Sequence, residues 1–205
     1  MLGIFLDSET NGLNAKKHRI LEIAFKILDM RSGKVLDQFQ SLIKIDVADF
    51  EKSDPQSLKI NGFNWKEIED APSPVSIAEQ IQTSFIRNQI VRGEAVFICQ
   101  NPSFDRAFFS QLIDSDIQEK LQWPYHWLDL ASMYWAEMMR KAKEEGGKFP
   151  WEMGCSKDNI AAALHLPKED TPHRAMNGVN HLLLCYRAIV GFPEGTEMNY
   201  ARSLM

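Results

Sequence analysis

The sequence has 205 residues, of which 44% are hydrophobic and 25% are charged, and its formal net charge is −5 at pH 7. This composition predicts one globular domain with a sizeable core, and the acidic balance disfavours a protein that coats long nucleic-acid duplexes. No apolar run approaches the ~18–20 residues that a transmembrane helix needs, and the first residues run into charged side chains, so we expect neither a membrane segment nor a secretory signal.

The first part of the chain is predicted to form an antiparallel meander of three strands. A short apolar strand over residues 2–6 ends at the acidic Asp7-Ser8-Glu9. Residues 19–29 form a second strand rich in isoleucine, and the turn at residues 31–34 leads into a third strand over residues 35–45.

The rest of the chain is predicted to alternate helices with parallel strands, which makes the fold α/β with a mixed central sheet flanked by helices. Strands are expected at 95–99 and 126–130, and helices at 54–60, 74–86, 104–113, 131–143, 156–164 and 174–189. Residues 144–154 contain Gly146, Gly147 and Pro150 and are predicted to be a loop. We expect one domain over residues 1–191 and a C-terminal tail over residues 192–205.

Asp7 and Glu9 lie two positions apart at the end of an apolar strand, so their side chains are expected on the same face. Acids that simply begin a solvated loop are the commoner explanation for such a pair. The functional alternative is a site for divalent cations, which oxygen ligands suit. The turn that follows, Thr10-Asn11-Gly12-Leu13, favours this alternative because it exposes backbone amides and an apolar side chain beside the acids.

Asp105 follows the most apolar strand of the chain, at a strand-to-helix junction within Asn101-Pro102-Ser103-Phe104-Asp105. Taken alone, it would be an acid that stabilises a helix dipole. With Asp7 and Glu9 at the same edge of the sheet, a metal site becomes the better explanation, because clustered acids repel one another without a cation between them. His173 precedes the last helix, and its unperturbed pKa near 6.5 would let it act as a base at neutral pH.

Three ordered motifs resemble those of the DEDDh family of 3′–5′ exonucleases, which includes replicase proofreading subunits, oligoribonuclease and ribonuclease T. They are Asp7-Ser8-Glu9-Thr10-Asn11-Gly12-Leu13, Asn101-Pro102-Ser103-Phe104-Asp105 and His173-Arg174-Ala175. The resemblance covers roughly residues 2–190 and implies an RNase H-like exonuclease fold and stepwise hydrolysis of single-stranded DNA or RNA from a 3′ end.

The resemblance also implies two Mg²⁺ or Mn²⁺ ions that bridge the scissile phosphate, and it assigns a role to each motif residue. Asp7 would bridge both ions, Glu9 would bind the nucleophile-side ion, and Asp105 would order the leaving-group side. His173 would deprotonate the attacking water. The substrate would be held at four positions: Thr10 and Leu13, with Leu13 wedged against the terminal base, Phe104 supporting the pocket, and Asn101 holding its loop.

The fourth acidic ligand of the family pattern is missing, because its position holds Gly178. Asn177 and Asn180 are rotated from it by ~100° and ~200° around the helix, so neither recreates the lost direction. Glu169 and Asp170 in the preceding loop are the acids left that could reach in. We therefore expect the nucleophile-side ion to be weakly bound.

Two functions remain open on these observations. The first is a metal-dependent 3′–5′ exonuclease of reduced activity, and the second is a catalytically impaired protein that binds nucleic-acid ends without turnover. An ordinary metabolic α/β enzyme is disfavoured by the absence of a glycine-rich phosphate loop or a nucleophile elbow.

The resemblance implies a homodimer and a replicative polymerase as further partners. Three cysteines without a CxxC pair favour reduced thiols and a cytoplasmic location.

Overall fold

The computed structural model describes residues 1–194, so residues 195–205 of the predicted tail lie outside the described residues. A five-stranded sheet with the order β3-β2-β1-β4-β5 forms the centre of the molecule. β1 pairs antiparallel with β2 and β2 with β3, while β4 lies parallel to both β1 and β5. The strands are β1 (Leu2–Thr10), β2 (Ile20–Asp29), β3 (Val35–Leu42), β4 (Ala95–Cys99) and β5 (Trp127–Asp129). The predicted mixed sheet with an antiparallel meander is thereby confirmed.

β1 is longer than predicted. The expected strand ended at residue 6, but the ladder with β2 continues through Asp7, opposite Ala24, and Glu9, opposite Glu22. The pairing extends because β2 supplies backbone partners along this whole length. The two acids therefore belong to a strand and not to a loop, which fixes the direction of their side chains.

Ten helices accompany the sheet in the described part of the chain. They are α1 (Val47–Phe50), α2 (Pro55–Asn61), α3 (Trp65–Glu69), α4 (Pro74–Arg87), α5 (Pro102–Phe109), α6 (Ser115–Lys120), α7 (Leu130–Glu145), α8 (Pro150–Met153), α9 (Lys157–Ala163) and α10 (Ala175–Ile189). The short α8 lies inside the segment predicted to be a loop. A helix forms there because Pro150 suits the first turn of a helix and Glu152 accepts the Phe149 N–H. No helix within residues 1–194 has the length and apolar character needed to cross a membrane.

Alternation along β1 separates two hydrophobic cores, one on each face of the sheet. Ile4 and Leu6 contribute to the core that α4 and α5 cover. Phe5 points to the opposite face, where its ring meets Tyr186 of α10 edge-on at 5.0 Å, under a layer of α7, α9 and α10. Each face of β1 is thus covered by helices.

Candidate functional site

Asp7 and Glu9 continue the face of β1 that begins with the buried Phe5, and this face lies against α10. Asp7 is 8% exposed, so its carboxylate is held out of bulk water. A buried carboxylate without a partner is costly, so the surroundings of Asp7 must supply positive charge or hydrogen-bond donors. The predicted pairing of the two acids on one face agrees with the strand geometry.

Asp105 reaches the same region from the first turn of α5. The strand before it, β4, runs parallel to β1, which brings the carboxyl ends of both strands to one edge of the sheet. The side chain is 5% exposed, and its Oδ1 accepts a hydrogen bond of 2.8 Å from the Ser8 hydroxyl. Ser8 faces away from Asp7 on the strand, so Asp105 is held toward the far side of β1.

Asp7 lies close enough to Glu9 and to Asp105 for its charge to act on both. Burial, reinforced by the negative charge of Asp7, raises the pKa of Glu9 to about 8. The same two causes raise the pKa of Asp105 to about 8, against the opposing effect of its hydrogen bond from Ser8. Burial also raises the pKa of Asp7, and the nearby cation of Lys157 opposes that rise.

His173 lies just before α10 and is close to a fourth acid. Its backbone N–H donates to the Ile60 carbonyl at 3.1 Å, which fastens this segment to α2. The side chain is 34% exposed, and Nδ1 lies 3.8 Å from Oε1 of Glu169. The imidazole is therefore open on one side and faces a carboxylate on the other.

The four predicted substrate-binding residues differ in how free their side chains are. The hydroxyl of Thr10 is used within its turn, where it donates to the Gly12 carbonyl at 2.9 Å. Leu13 is 79% exposed in the same turn. Asn101 precedes α5 and accepts from the Ser103 hydroxyl, while Phe104 is half-buried with its ring centroid 4.8 Å from that of Phe108. Leu13 and Phe104 keep apolar surface available, whereas Thr10 and Asn101 shape their loops.

Sequence reasoning missed Lys157, which occupies the middle of the site. Its Nζ lies 3.0 Å from Oδ1 of Asp7 and 3.0 Å from Oε2 of Glu169. Burial alone would lower the pKa of Lys157, but attraction to these two carboxylates outweighs burial and raises the pKa above its ordinary value. One signal was present in the sequence: Lys157 is the first residue of α9, where the helix dipole disfavours a cation.

Glu169, one of the two acids considered as replacements for the missing ligand, does reach into the site. Its side chain is 3% exposed and contacts both Lys157 and His173. Its Oε2 also lies 3.7 Å from Nδ1 of the buried His181, whose Nε2 donates to the Pro167 carbonyl. Asp170 is exposed. The loop before α10 thus contributes one buried carboxylate.

Gly178 lies in the first turns of α10 directly above Asp7. A Cβ atom at this position would overlap the Asp7 carboxylate, with Cγ 2.5 Å away, and would lie 2.9 Å from Nζ of Lys157. Asn180 does not substitute, because its Oδ1 accepts from Nζ of Lys26 at 2.6 Å. The space where a fourth acidic side chain would begin is filled by Asp7 and its ammonium partner.

These side chains do not fit the two-ion centre that the resemblance implies. In the described part of the chain, no group of three or more His, Cys, Asp or Glu side chains is arranged to hold a metal ion. Asp7 faces an ammonium, Asp105 is turned to Ser8, and the fourth ligand is absent. The chemistry of the oxygen donors suits a hard cation, but Asp7, which would have to hold both ions, is already paired with the ammonium of Lys157.

Comparisons with known proteins agree with the fold. The family model RNase_T, described as exonuclease, matches residues 4–180. A zinc-bound complex of E. coli ExoI with ssDNA aligns with a TM-score of 0.68 at 17% identity, covering 92% of this chain and 40% of that chain. Cell-death related nuclease 4 aligns with a TM-score of 0.68 at 16% identity, covering 95% of this chain and 66% of that chain.

A 3′-exonuclease that recognises the 3′ end of a histone mRNA stem-loop aligns with a TM-score of 0.67 at 11% identity, covering 94% of this chain and 65% of that chain. The chain therefore spans less than two thirds of the length of these three structures. At such identities the likeness establishes the fold. The comparison with curated proteins returned no match.

Proposed function

The chain belongs to the exonuclease family whose model spans most of its length, and on that premise we propose that it removes nucleotides from the 3′ end of single-stranded DNA or RNA. The observation that supports the proposal is that Asp7 lies close enough to Glu9, Asp105 and His173 for their charges to interact. Titratable groups from three separated motifs thus influence one another, although burying acids together is costly. A structural role alone gives no reason for that cost.

In this proposal His173 accepts the proton of the attacking water. Its Nδ1 faces Glu169, which leaves Nε2 as the atom available to take the proton. The water oxygen forms a bond to phosphorus as the bond from phosphorus to the 3′ oxygen breaks, and that oxygen takes a proton from solvent. Glu169 would orient the imidazole and stabilise the imidazolium that forms, as a carboxylate behind a catalytic histidine does.

The terminal nucleotide would be held mainly by apolar contacts. Leu13 is exposed in the turn that follows the acids and suits the face of a terminal base. Phe104 lies where β4 leads into α5. Apolar packing on Leu13 and stacking on the ring of Phe104 would tolerate any base, which agrees with a substrate defined by its end and not by its sequence. The net charge of −5 fits a grip on few nucleotides better than binding along a duplex.

Exonucleases of this family typically use divalent metal ions, and Mg²⁺ or Mn²⁺ is the ion that we propose. Because the described side chains do not form the ligand set of two ions, no step of the reaction above depends on one. The homodimer, the polymerase partner and the cytoplasmic location belong to this proposal as predictions. The location is supported by three cysteines that are all free thiols.

A second candidate function is binding of 3′ ends without turnover, and the observation that favours it is the ammonium of Lys157 in contact with Asp7. If Asp7 is fully neutralised by this contact, the site keeps its shape but loses the negative charge that recruits ions. The fold and the apolar contacts to a terminal nucleotide would be unaffected.

The proposal is tested with 5′-labelled single-stranded DNA and RNA oligonucleotides in Mn²⁺. We expect a ladder of shortened products from the wild type, and a loss of rate on the order of 100-fold or more in Asp7→Asn. Asp70→Asn removes an exposed carboxylate and is the matched control. Binding that requires a free 3′ hydroxyl, without a ladder at any Mn²⁺ concentration, would establish the second candidate. Neither binding nor products would overturn both.

A further inference from the structure

Lys157 bridges two buried carboxylates that belong to different parts of the fold. Asp7 lies in the central strand, Glu169 lies in the loop before α10, and Nζ is 3.0 Å from an oxygen of each. The lysine side chain is only 14% exposed, and the side chains of Asp7 and Glu169 are 12% and 3% exposed. A cation that is this deeply placed interacts strongly with both anions, because little water screens the charges.

Gly178 and Lys157 fit each other sterically. A Cβ at position 178 would overlap the Asp7 carboxylate and approach Nζ to 2.9 Å, so a larger residue there would push the lysine and its partner apart. Glycine also lowers the intrinsic helix propensity by about 1 kcal/mol relative to alanine, so local helix stability does not explain its presence. Gly178 therefore leaves room for the contact between Lys157 and Asp7.

We infer that the Lys157 ammonium is a built-in cation that replaces the divalent ion whose fourth acidic ligand Gly178 no longer provides. This inference rests on the proposed function in one respect, because it takes these acids to be the active site of a nuclease. An ammonium and a divalent ion repel each other and compete for the same oxygen of Asp7, so both cannot occupy this position. The protein therefore holds at most one ion, and its acids are partly neutralised without any metal.

Glu169 has a defined part in this arrangement. A single lysine between Asp7 and Glu169 leaves one net negative charge, and the second carboxylate keeps the ammonium in place from the side opposite the strand. Among the residues that the structure describes, Asp7 and Glu169 are the two whose carboxylates lie within 4 Å of Nζ, so Asp7 alone would remain without Glu169. The loop before α10 thus provides the anchor that fixes the cation over the strand.

The inference is tested on the full chain without nucleic acid, by titrating Mn²⁺ and by thermal unfolding in EDTA and in Mn²⁺. We expect the wild type to bind no more than one Mn²⁺ per chain and to unfold at nearly the same temperature in both conditions. Lys157→Met should unfold at a lower temperature in EDTA, regain stability in Mn²⁺, and bind Mn²⁺ about tenfold or more tightly than the wild type. Lys168→Met, which removes an exposed lysine of the same loop region, should behave as the wild type.

Two Mn²⁺ per wild-type chain, with no gain in affinity in Lys157→Met, would overturn the inference. If Lys157→Met does not fold in EDTA, the double variant Lys157→Met/Glu169→Gln removes one charge of each sign, and the same two measurements apply to it. It should then bind Mn²⁺ more tightly than the wild type, and equal or weaker binding contradicts the inference. These readouts involve no substrate, so they are independent of whether the oligonucleotide test succeeds.

Discussion

Glu9 and Asp105 are surrounded in a way that favours their protonated forms. Burial, together with the charge of Asp7, raises the pKa of each to about 8, whereas the unfolded chain leaves both near their ordinary values of about 4. At pH values between about 4 and about 8, the folded state binds more protons than the unfolded state. The contribution of these two acids to stability is therefore greatest at acidic pH and is lost as the pH rises through about 8.

We predict that the free energy of unfolding in EDTA falls by at least about 1 kcal/mol between pH 5 and pH 8. Urea denaturation across this range measures it. Asp105→Asn removes one of the two groups, so its unfolding free energy should depend less steeply on pH and should exceed that of the wild type at pH 8. Asp116→Asn, at an exposed position, serves as the control. A free energy that rises with pH in this window would show that the acids are ionised in the folded state.

At the residue level, the sequence indicates the acids and the histidine but not the lysine between them. Asp7 and Glu9 lie near the end of β1 and Asp105 follows β4, and the carboxyl ends of these parallel strands meet, which strand order makes predictable. Lys157 is 150 positions away from Asp7, and its neighbours in the sequence do not indicate that the two residues form a pair. Long-range ion pairs depend on how α9 packs on the sheet, and this packing is a property of the whole fold.

The start of α10 is the element on which the histidine depends, and a buried carboxylate from β2 holds it. Glu22 is 3% exposed, its Oε2 accepts the N–H of Ala175 at 2.8 Å, and its Oε1 accepts from Gln40 at 2.7 Å. An otherwise unpaired N–H of the first helical turn is thereby satisfied by an anion, which also suits the helix dipole. Glu22 therefore positions the end of the helix that follows His173.

We predict that Glu22→Ala lowers the free energy of unfolding by about 2–3 kcal/mol, because a buried N–H loses a charged acceptor. The same variant should reduce 3′-end cleavage or binding, since the segment before α10 would shift. Glu79→Ala on the exposed side of α4 is the control for removing a carboxylate. Equal unfolding curves for the two variants would mean that Glu22 does not support the helix.

Elements with strong apolar periodicity are the ones that the sequence predicts well. α4 begins at Pro74, next to its Ser73 cap, and β4 covers the predicted residues 95–99. The end of β1 and the short α8 were not predicted. The end of β1 follows from the ladder with β2, which lies far away in the sequence. The start of α8 follows from Pro150 and from the Glu152 contact to the Phe149 N–H, two local signals that the neighbouring glycines obscured.

Across the whole molecule, the core between the sheet and α10 is closed at one end by an aromatic residue after the last helix. The ring of Phe192 lies 5.5 Å from that of Tyr186 and 6.5 Å from that of Phe5. Gly33, in the turn between β2 and β3, has a φ of 71° and leaves space for this ring, since a Cβ there would be 2.6 Å from it. The domain proposed for residues 1–191 thus has an adjoining residue that packs on its core.

We predict that Phe192→Ala lowers the free energy of unfolding by about 1–3 kcal/mol, less than a fully buried phenylalanine would, because its ring is only partly buried. The loss should appear in a single cooperative transition, since the ring contacts residues of the central strand and of α10 and is not part of a separate unit. Val190→Ala, at a position that is 50% exposed, controls for shortening a side chain near the end of α10. If both variants unfold as the wild type does, Phe192 adds nothing to the core and the boundary after residue 191 holds. A loss confined to Phe192→Ala would extend the domain to include it.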